Sequence, residues 1–162
     1  MSETTIRRAT AADEPALGRY GGALMRQHHA FDPKRFIRSD RPEQDYGRFL
    51  VSRLDDPESA VFVAERDGEV LGYVYAGLEP ANWKELRAAC GFVHDVFVDE
   101  RARRAGVGER LVRGAIEWLA STGSPRVVLL SAAQNAPAQR LFVRLGFRTT
   151  MVEMTRELRN HG

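Results

Sequence analysis

The residues best placed to do chemistry crowd into one run, Val96-Phe97-Val98-Asp99-Glu100-Arg101-Ala102-Arg103-Arg104-Ala105-Gly106-Val107-Gly108-Glu109. It reads as a buried strand, a basic turn with two glycines, and the start of an amphipathic helix. Such a turn can hold an anion. The first turn of a helix leaves backbone N–H groups unpaired and carries roughly half a positive charge. Gly106 and Gly108 let a phosphate approach the backbone, and Arg103 and Arg104 can add charge-assisted hydrogen bonds. An ordinary strand-to-helix connection has the same look, so the rest of the chain must decide. Just upstream, His94 and Asp95 put two titratable groups on the strand itself.

The elements that must position these groups follow from periodicity and turn chemistry. Ile6 to Ala9 reads as a short first strand, and Thr10-Ala11-Ala12-Asp13 as a capping box opening a helix with Leu17, Tyr20, Leu24 and His28 on one face. Phe31 to Phe36 is a loop. A second helix is expected from about Glu43 to Leu54, with Tyr46, Phe49, Leu50 and Leu54 at helical spacing. Asp67-Gly68 predicts a hairpin between strands Ala60–Glu65 and Val70–Leu78. Pro80 to Ala89 is ambiguous between loop and helical turn.

Phe92–Val98 is the next strand, with alternation placing His94 beside Phe92, Val96 and Val98 and turning Asp95 to the opposite face. A helix from about Gly106 to Ser121 turns Val107, Leu111, Ala115, Ile116 and Leu119 inward. Val127–Leu130 is a short buried strand. Asn135 can cap a helix whose first turn accepts Pro137, with Ala138, Leu141, Phe142 and Leu145 on its apolar face and Gly146 ending it. Met151 to Leu158 reads as a last strand. The order predicts an α/β fold, a mixed sheet with helices on both faces.

Length and composition set the outer bounds. The 162 residues suit a single domain, and 43% hydrophobic with 28% charged residues is ordinary for a globular chain. No apolar run approaches the roughly 20 residues of a membrane span, and the first residues lack the apolar core of a secretory signal. One cysteine, Cys90, excludes an internal disulfide and a cysteine-built zinc site, which fits a cytoplasmic protein. No metal site is expected from His28-His29. The net charge is +2 with a pI near 9.0, and the arginines are scattered among acids. A local anionic ligand therefore fits better than a nucleic-acid or membrane surface.

Two of these segments resemble a known family. Val98 to Gly108 is similar to the acetyl-CoA-binding segment of the GNAT N-acetyltransferases, V-x-P-x-x-[RQ]-x-x-G-x-[GA]. Arg103, Gly106 and Gly108 fill its defining positions, and Glu100 replaces the proline. Asn135-x-x-Ala138-x-x-Leu141-Phe142-x-x-Leu145-Gly146-Phe147 resembles the family's N-x-x-A-x-x-[LF]-Y-x-x-x-G-F helix. The two motifs occur in the right structural order and the resemblance covers nearly the whole chain. It implies a mostly antiparallel central sheet with a splayed pair of central strands and the pantetheine arm of acetyl-CoA between them. Backbone groups of Val96, Phe97 and Val98 would pair with that arm. The amides of Arg103, Arg104, Ala105, Gly106, Val107, Gly108 and Glu109 would hold the pyrophosphate. Asn135 would reach the pantetheine, and Ala138 and Phe142 would leave room along its path. Arg144 reads as a nucleotide-phosphate contact or a solvated helix arginine. A homodimer is also implied.

Acetyl transfer to an amine requires that an ammonium lose a proton, since a free alkyl amine has a pKa near 10. His94, with an unperturbed pKa near 6.5, suits that base or a water relay, or else it is a hydrogen-bonded sheet histidine. The run His94-Asp95-Val96-Phe97-Val98 resembles E-D-[FL]-[FY]-V of the polyamine acetyltransferase branch, in which the glutamate handles the amine's proton; histidine keeps a base but removes a negative charge. Asp95 is a second candidate, more suited to orienting its neighbours. Phe142 stands where most relatives carry a tyrosine that can protonate the thiolate, which leaves Tyr73, Tyr75 or water, although both tyrosines also suit core packing. Cys90 reads as a small buried hydrophobe. Asp32, Arg35 and Phe36 either border the acceptor pocket or form plain surface loop. The expected function is acetyl transfer from acetyl-CoA to a primary amine of a small molecule. A non-catalytic acyl-CoA sensor and an acetyltransferase for a protein N-terminus or lysine are the rivals.

Overall fold

The computed structural model describes residues 3–159. A five-stranded sheet runs in the order β1 (Thr5–Arg8), β2 (Ser59–Arg66), β3 (Glu69–Glu79), β4 (Cys90–Val98), β5 (Val127–Leu129). Its first four strands are antiparallel and β5 joins β4 in parallel. β2 and β3 meet across Asp67 and Gly68, whose φ values of 53° and 74° are those of a tight hairpin turn that matches strand twist.

Helices cover both faces. On one, α1 (Glu14–Phe31) and α2 (Pro42–Ser52) bring Leu17, Tyr20 and Leu50 onto Val61, Val63, Val70 and Tyr73. On the other, α3 (Val107–Ser121) lays Val107, Leu111, Ala115 and Leu119 on Ala64, Leu71, Val74, Ala76 and Val93. Full burial of each valine or leucine among these contributes about 1.5–3 kcal/mol. Val112 is fully buried and Ile116 only partly, so the inward stripe of α3 is centred one residue from the expected line. α1 and α2 approach closely because glycines face the contact: a Cβ at Gly18 would lie 2.5 Å from the Glu43 carbonyl oxygen, and one at Gly21 would strike the Tyr46 ring.

Three further features depart from what the sequence predicts. The Asp13 carboxylate accepts the Thr10 N–H at 2.8 Å as a capping box should, but it closes a 3-10 turn, Ala11–Asp13, before α1 starts at Glu14. Phe49 is 43% exposed although its spacing put it on the inner face of the second helix. Met151 to Leu158 forms no strand: the segment has no regular structure, and Met151, Val152, Met154 and Leu158 are 73–91% exposed. Alternating side chains suffice for a strand pattern, but a strand also needs a hydrogen-bonded neighbour, and this segment has none among the described residues. Among the described residues no helix is long and apolar enough to cross a membrane.

Candidate active site

The site forms where β4 parts from β5. The two strands pair only from Gly91 to Val93, against Val127 to Leu129, so from His94 onward β4 keeps β3 on one edge and leaves the other open. Asp99 donates its N–H to Leu71 of β3 at 2.7 Å. Counting back along the strand, Phe97 also turns its N–H and C=O toward β3, while Val96 and Val98 turn theirs into the gap. The expectation for the three backbones thus narrows to Val96 and Val98. The Val98 carbonyl already accepts Arg103 Nε at 3.1 Å.

At the end of this open edge the chain makes its basic turn. Asp99 accepts the Arg101 N–H at 3.0 Å and caps a second 3-10 turn, Glu100–Ala102. Ala102 is buried, whereas Arg103, Arg104, Ala105 and Gly106 are exposed. Arg104 and Gly106 are left-handed, with φ of 69° and 78°. Left-handed residues placed in such a turn aim successive N–H groups into one concavity, and Arg104 holds this conformation against the cost that a Cβ imposes. From Arg104 through Glu109 no backbone N–H has a backbone acceptor among the described residues. Arg103 lies with its guanidinium 5.3 Å from the Phe97 ring centroid. A cluster of free N–H groups at a helix N-terminus, beside two arginines, suits a pyrophosphate, and the adjoining open strand edge suits an amide-bearing arm.

The second motif closes on the first. α4 (Ala136–Arg144) starts at Asn135, whose side-chain oxygen accepts the Ala138 N–H at 3.3 Å, leaving its amide N–H groups for another acceptor. A Cβ at Gly108 would stand 3.5 Å from both Leu141 and Val98, so the start of α3, the end of β4 and α4 meet there. Phe142 is buried against Phe147, Gly146 ends the helix with φ of 94°, and Arg144 is exposed.

The catalytic candidates lie on the opposite side of β4 from α3. The β3–β4 register runs Tyr75↔Asp95 and then Ala76↔Val93, so His94 is the extra residue of a β-bulge. This corrects the alternation. His94 stacks on Phe92 (4.7 Å between centroids) and Tyr75 (4.8 Å), and its Nε2 meets Glu79 Oε1 at 3.0 Å. Tyr75 packs with the α1–α2 face, whereas Val96 and Val98 pack with the α3 core. His94 and Asp95 therefore share one face, opposite Val96 and Val98. One inserted residue reverses the phase of alternation, and no local propensity announces it.

Asp95 is tied down: its Oδ2 accepts from the Tyr46 hydroxyl and, at 3.1 Å, from the Tyr73 hydroxyl. Burial pushes its carboxyl above the usual carboxylate range, against the two hydroxyls that favour the anion. Tyr73 is fully buried with its hydroxyl committed to Asp95, so it packs the core. Burial raises the Tyr46, Tyr73 and Tyr75 hydroxyls above the ordinary tyrosine value. Burial likewise lowers His94, with Glu79 and Asp95 pulling it back up, so the imidazole is neutral at neutral pH. Sequence reasoning missed Glu79 and Tyr46. The only available sign of Glu79 was the two-residue spacing Tyr73, Tyr75, Gly77, Glu79, and none pointed from the second helix to Asp95.

Other sequence candidates lie outside this cluster. Cys90 is buried at the start of β4, and burial pushes its thiol up, away from nucleophilic use. His28 and His29 spend Nδ1 on the carbonyls of Leu24 and Phe36. Asp32 accepts the Lys34 N–H at 3.1 Å in the loop after α1, and Arg35 pairs with Glu153.

Comparison with known proteins settles the family. Residues 24–147 match the Acetyltransferase (GNAT) family. This chain belongs to it. It is an N-acetyltransferase, and acetyl-CoA is its acetyl donor. The N-alpha-acetyltransferase of Sulfurisphaera tokodaii is 34% identical over 116 residues, covering 68% of this chain and 70% of that protein. A mutant of the BH1408 protein from Bacillus halodurans superposes with a TM-score of 0.83 at 22% identity, over 95% of this chain and 99% of that one. The aminoglycoside N-acetyltransferase AAC(6')-Iy, in complex with CoA, gives 0.73 at 18% identity over 99% and 97%. These structural likenesses confirm the GNAT fold, a mixed and mostly antiparallel sheet with helices on both faces.

Proposed function

We propose that this GNAT chain transfers the acetyl group to a primary amine of a small molecule, by direct attack within a ternary complex, with His94 as the base. The observation that carries the reading is the bulge at His94. It sets a neutral imidazole at the point where β4 leaves β5, between the open strand edge and the α1–α2 face. Acetyl-CoA, when bound, supplies the electrophilic acetyl carbon. The free N–H groups of Arg104, Ala105, Gly106, Val107, Gly108 and Glu109 take the pyrophosphate, helped by the charge of Arg103. Val96 and Val98 pair with the pantetheine, and the free amide of Asn135 reaches the same arm. Ala138 and Phe142 line its path.

His94 then removes a proton from the acceptor ammonium, directly or through one water, so that the nitrogen lone pair can attack. Positioning supplies much of the rate, since no enzyme nucleophile is required. Phe142 has no proton to give and Tyr73 is committed, so water or Tyr75 protonates the leaving thiolate. Asp95 orients Tyr46 and Tyr73 and acts as a positioning residue. The neighbouring aminoglycoside N-acetyltransferase supports a small-molecule amine acceptor. The name of the Sulfurisphaera relative favours a second reading, a protein N-terminus as acceptor. A homodimer belongs to the same proposal, supported by the uncovered apolar side chains from Met151 to Leu158.

The test is thiol release from acetyl-CoA with a panel of amino sugars, polyamines, arylalkylamines and N-terminal peptides. Turnover with a small amine is expected. Turnover with peptides alone would move the acceptor to the second reading, and acetyl-CoA binding without turnover on any member would mark a sensor.

A further inference from the structure

We propose that Glu79 is a positioning residue for His94: its carboxylate fixes the proton on Nε2, so that Nδ1 is the nitrogen that receives the acceptor's proton. The inference rests on His94 being the base. A neutral imidazole carries one N–H and one lone pair, and an ionised carboxylate can only accept. Glu79 Oε1 stands 3.0 Å from Nε2, so the carboxylate favours the tautomer that carries its proton there. The ring cannot readily turn away, because Phe92 stacks on it with an interplanar angle of 18° and Tyr75 lies against it at 31°. Among the described residues Nδ1 has no hydrogen-bond partner, and the His94 side chain keeps 26% of its surface exposed. One nitrogen is tethered and the other is presented.

The charges around the ring fit this division. Glu79 comes from the end of β3, Asp95 from β4 itself, and Arg87 from the connection between those strands, with its guanidinium 5.7 Å from the Phe92 ring centroid and 3.1 Å from Glu85. Tyr75 is the remaining titratable group against the ring. The proton balance is simple. One N–H bond of the acceptor ammonium breaks as the Nδ1–H bond forms. The freed lone pair makes the C–N bond as the C–S bond breaks, and the second proton, shed by the new amide nitrogen, goes through water or Tyr75 to the departing thiolate. The imidazolium, held by Glu79 through Nε2–H, then returns its proton to water. A negative charge absent from position 94 is thus supplied from β3, next to the site of proton transfer.

The experiment compares wild type, Glu79→Gln, Glu79→Ala and His94→Ala by NMR of the imidazole ring nitrogens across pH, with thermal melts to confirm folding. In wild type above pH 7 the His94 spectrum is expected to show Nε2 protonated and Nδ1 bare. Glu79→Gln retains an accepting oxygen and loses the charge, so the tautomer persists and the His94 midpoint moves to lower pH. Glu79→Ala releases the ring to a mixture of tautomers, and thiol release with the active amine falls about tenfold or more at unchanged KM for acetyl-CoA. An Nδ1-protonated wild type, or a tautomer and midpoint untouched in folded Glu79→Ala, overturns the inference. Undiminished turnover by His94→Ala would instead remove the base on which it rests.

Discussion

At the scale of single residues, the two titratable neighbours on β4 have different duties. His94 is neutral by burial, so the acid limb of kcat/KM should fall with a midpoint below the ordinary histidine value of about 6.5, activity being lost as protonation removes the lone pair. His94→Ala should lower kcat by roughly 10²–10⁴-fold and abolish that limb, as read by thiol release across pH 5–9. Asp95 is a different case. Its folded-state pKa is raised by burial, so the folded protein binds more protons than the unfolded chain between the ordinary carboxylate value and the raised one. Stability therefore falls as pH rises through that window, and the penalty persists above it. Asp95→Asn should escape this penalty while keeping an acceptor for Tyr46 and Tyr73. Asp95→Ala should cost about 1–3 kcal/mol, because the buried Tyr73 hydroxyl loses its partner. Denaturant titrations at pH 4 and pH 7 separate the two. Equal stability of the two variants would contradict the role given to Asp95.

At the scale of elements, backbone geometry makes the proposed donor site. Gly106 sits at φ 78°, where a Cβ costs about 1–2 kcal/mol. Gly106→Ala should therefore distort the turn and raise KM for acetyl-CoA about tenfold with kcat little changed, measured by initial rates; an unchanged KM would detach the turn from the donor. α1 and α2 form the opposite wall. Gly18→Ala drives a methyl into the Glu43 carbonyl and should lower stability by about 1–3 kcal/mol in a thermal or denaturant melt. The strands, the hairpin and the helices were legible because period-2 and period-3.6 patterns, Asp67-Gly68, Asn135 and Gly146 act locally. The turn from Arg103 to Gly108 was legible for the same reason. The face of His94 was not, because a bulge depends on how β3 and β4 register. Glu79 and Tyr46 reach their partners through tertiary packing across 15 and 49 positions of chain, respectively, which no window of sequence displays.

At the scale of the whole molecule, the sheet splits between β4 and β5 and leaves the segment from Met151 to Leu158 uncovered. Val152, Met154 and Leu158 are all at least 73% exposed. Exposed apolar side chains of this kind suit the proposed dimer contact. Replacing Val152 and Met154 together with serine should reduce a dimer to a monomer in light scattering coupled to size exclusion. An unaltered mass would assign the contact elsewhere. The split itself is the central claim, since it is where the donor must lie if β4's free edge and the basic turn act together. Residue-resolved amide hydrogen exchange with and without acetyl-CoA tests it most directly. Acetyl-CoA should slow exchange at Val96, Val98 and the amides from Arg104 to Glu109, while Phe97, already paired with β3, changes little. Saturation with acetyl-CoA that left those amides unprotected, or protected a different surface, would contradict the account.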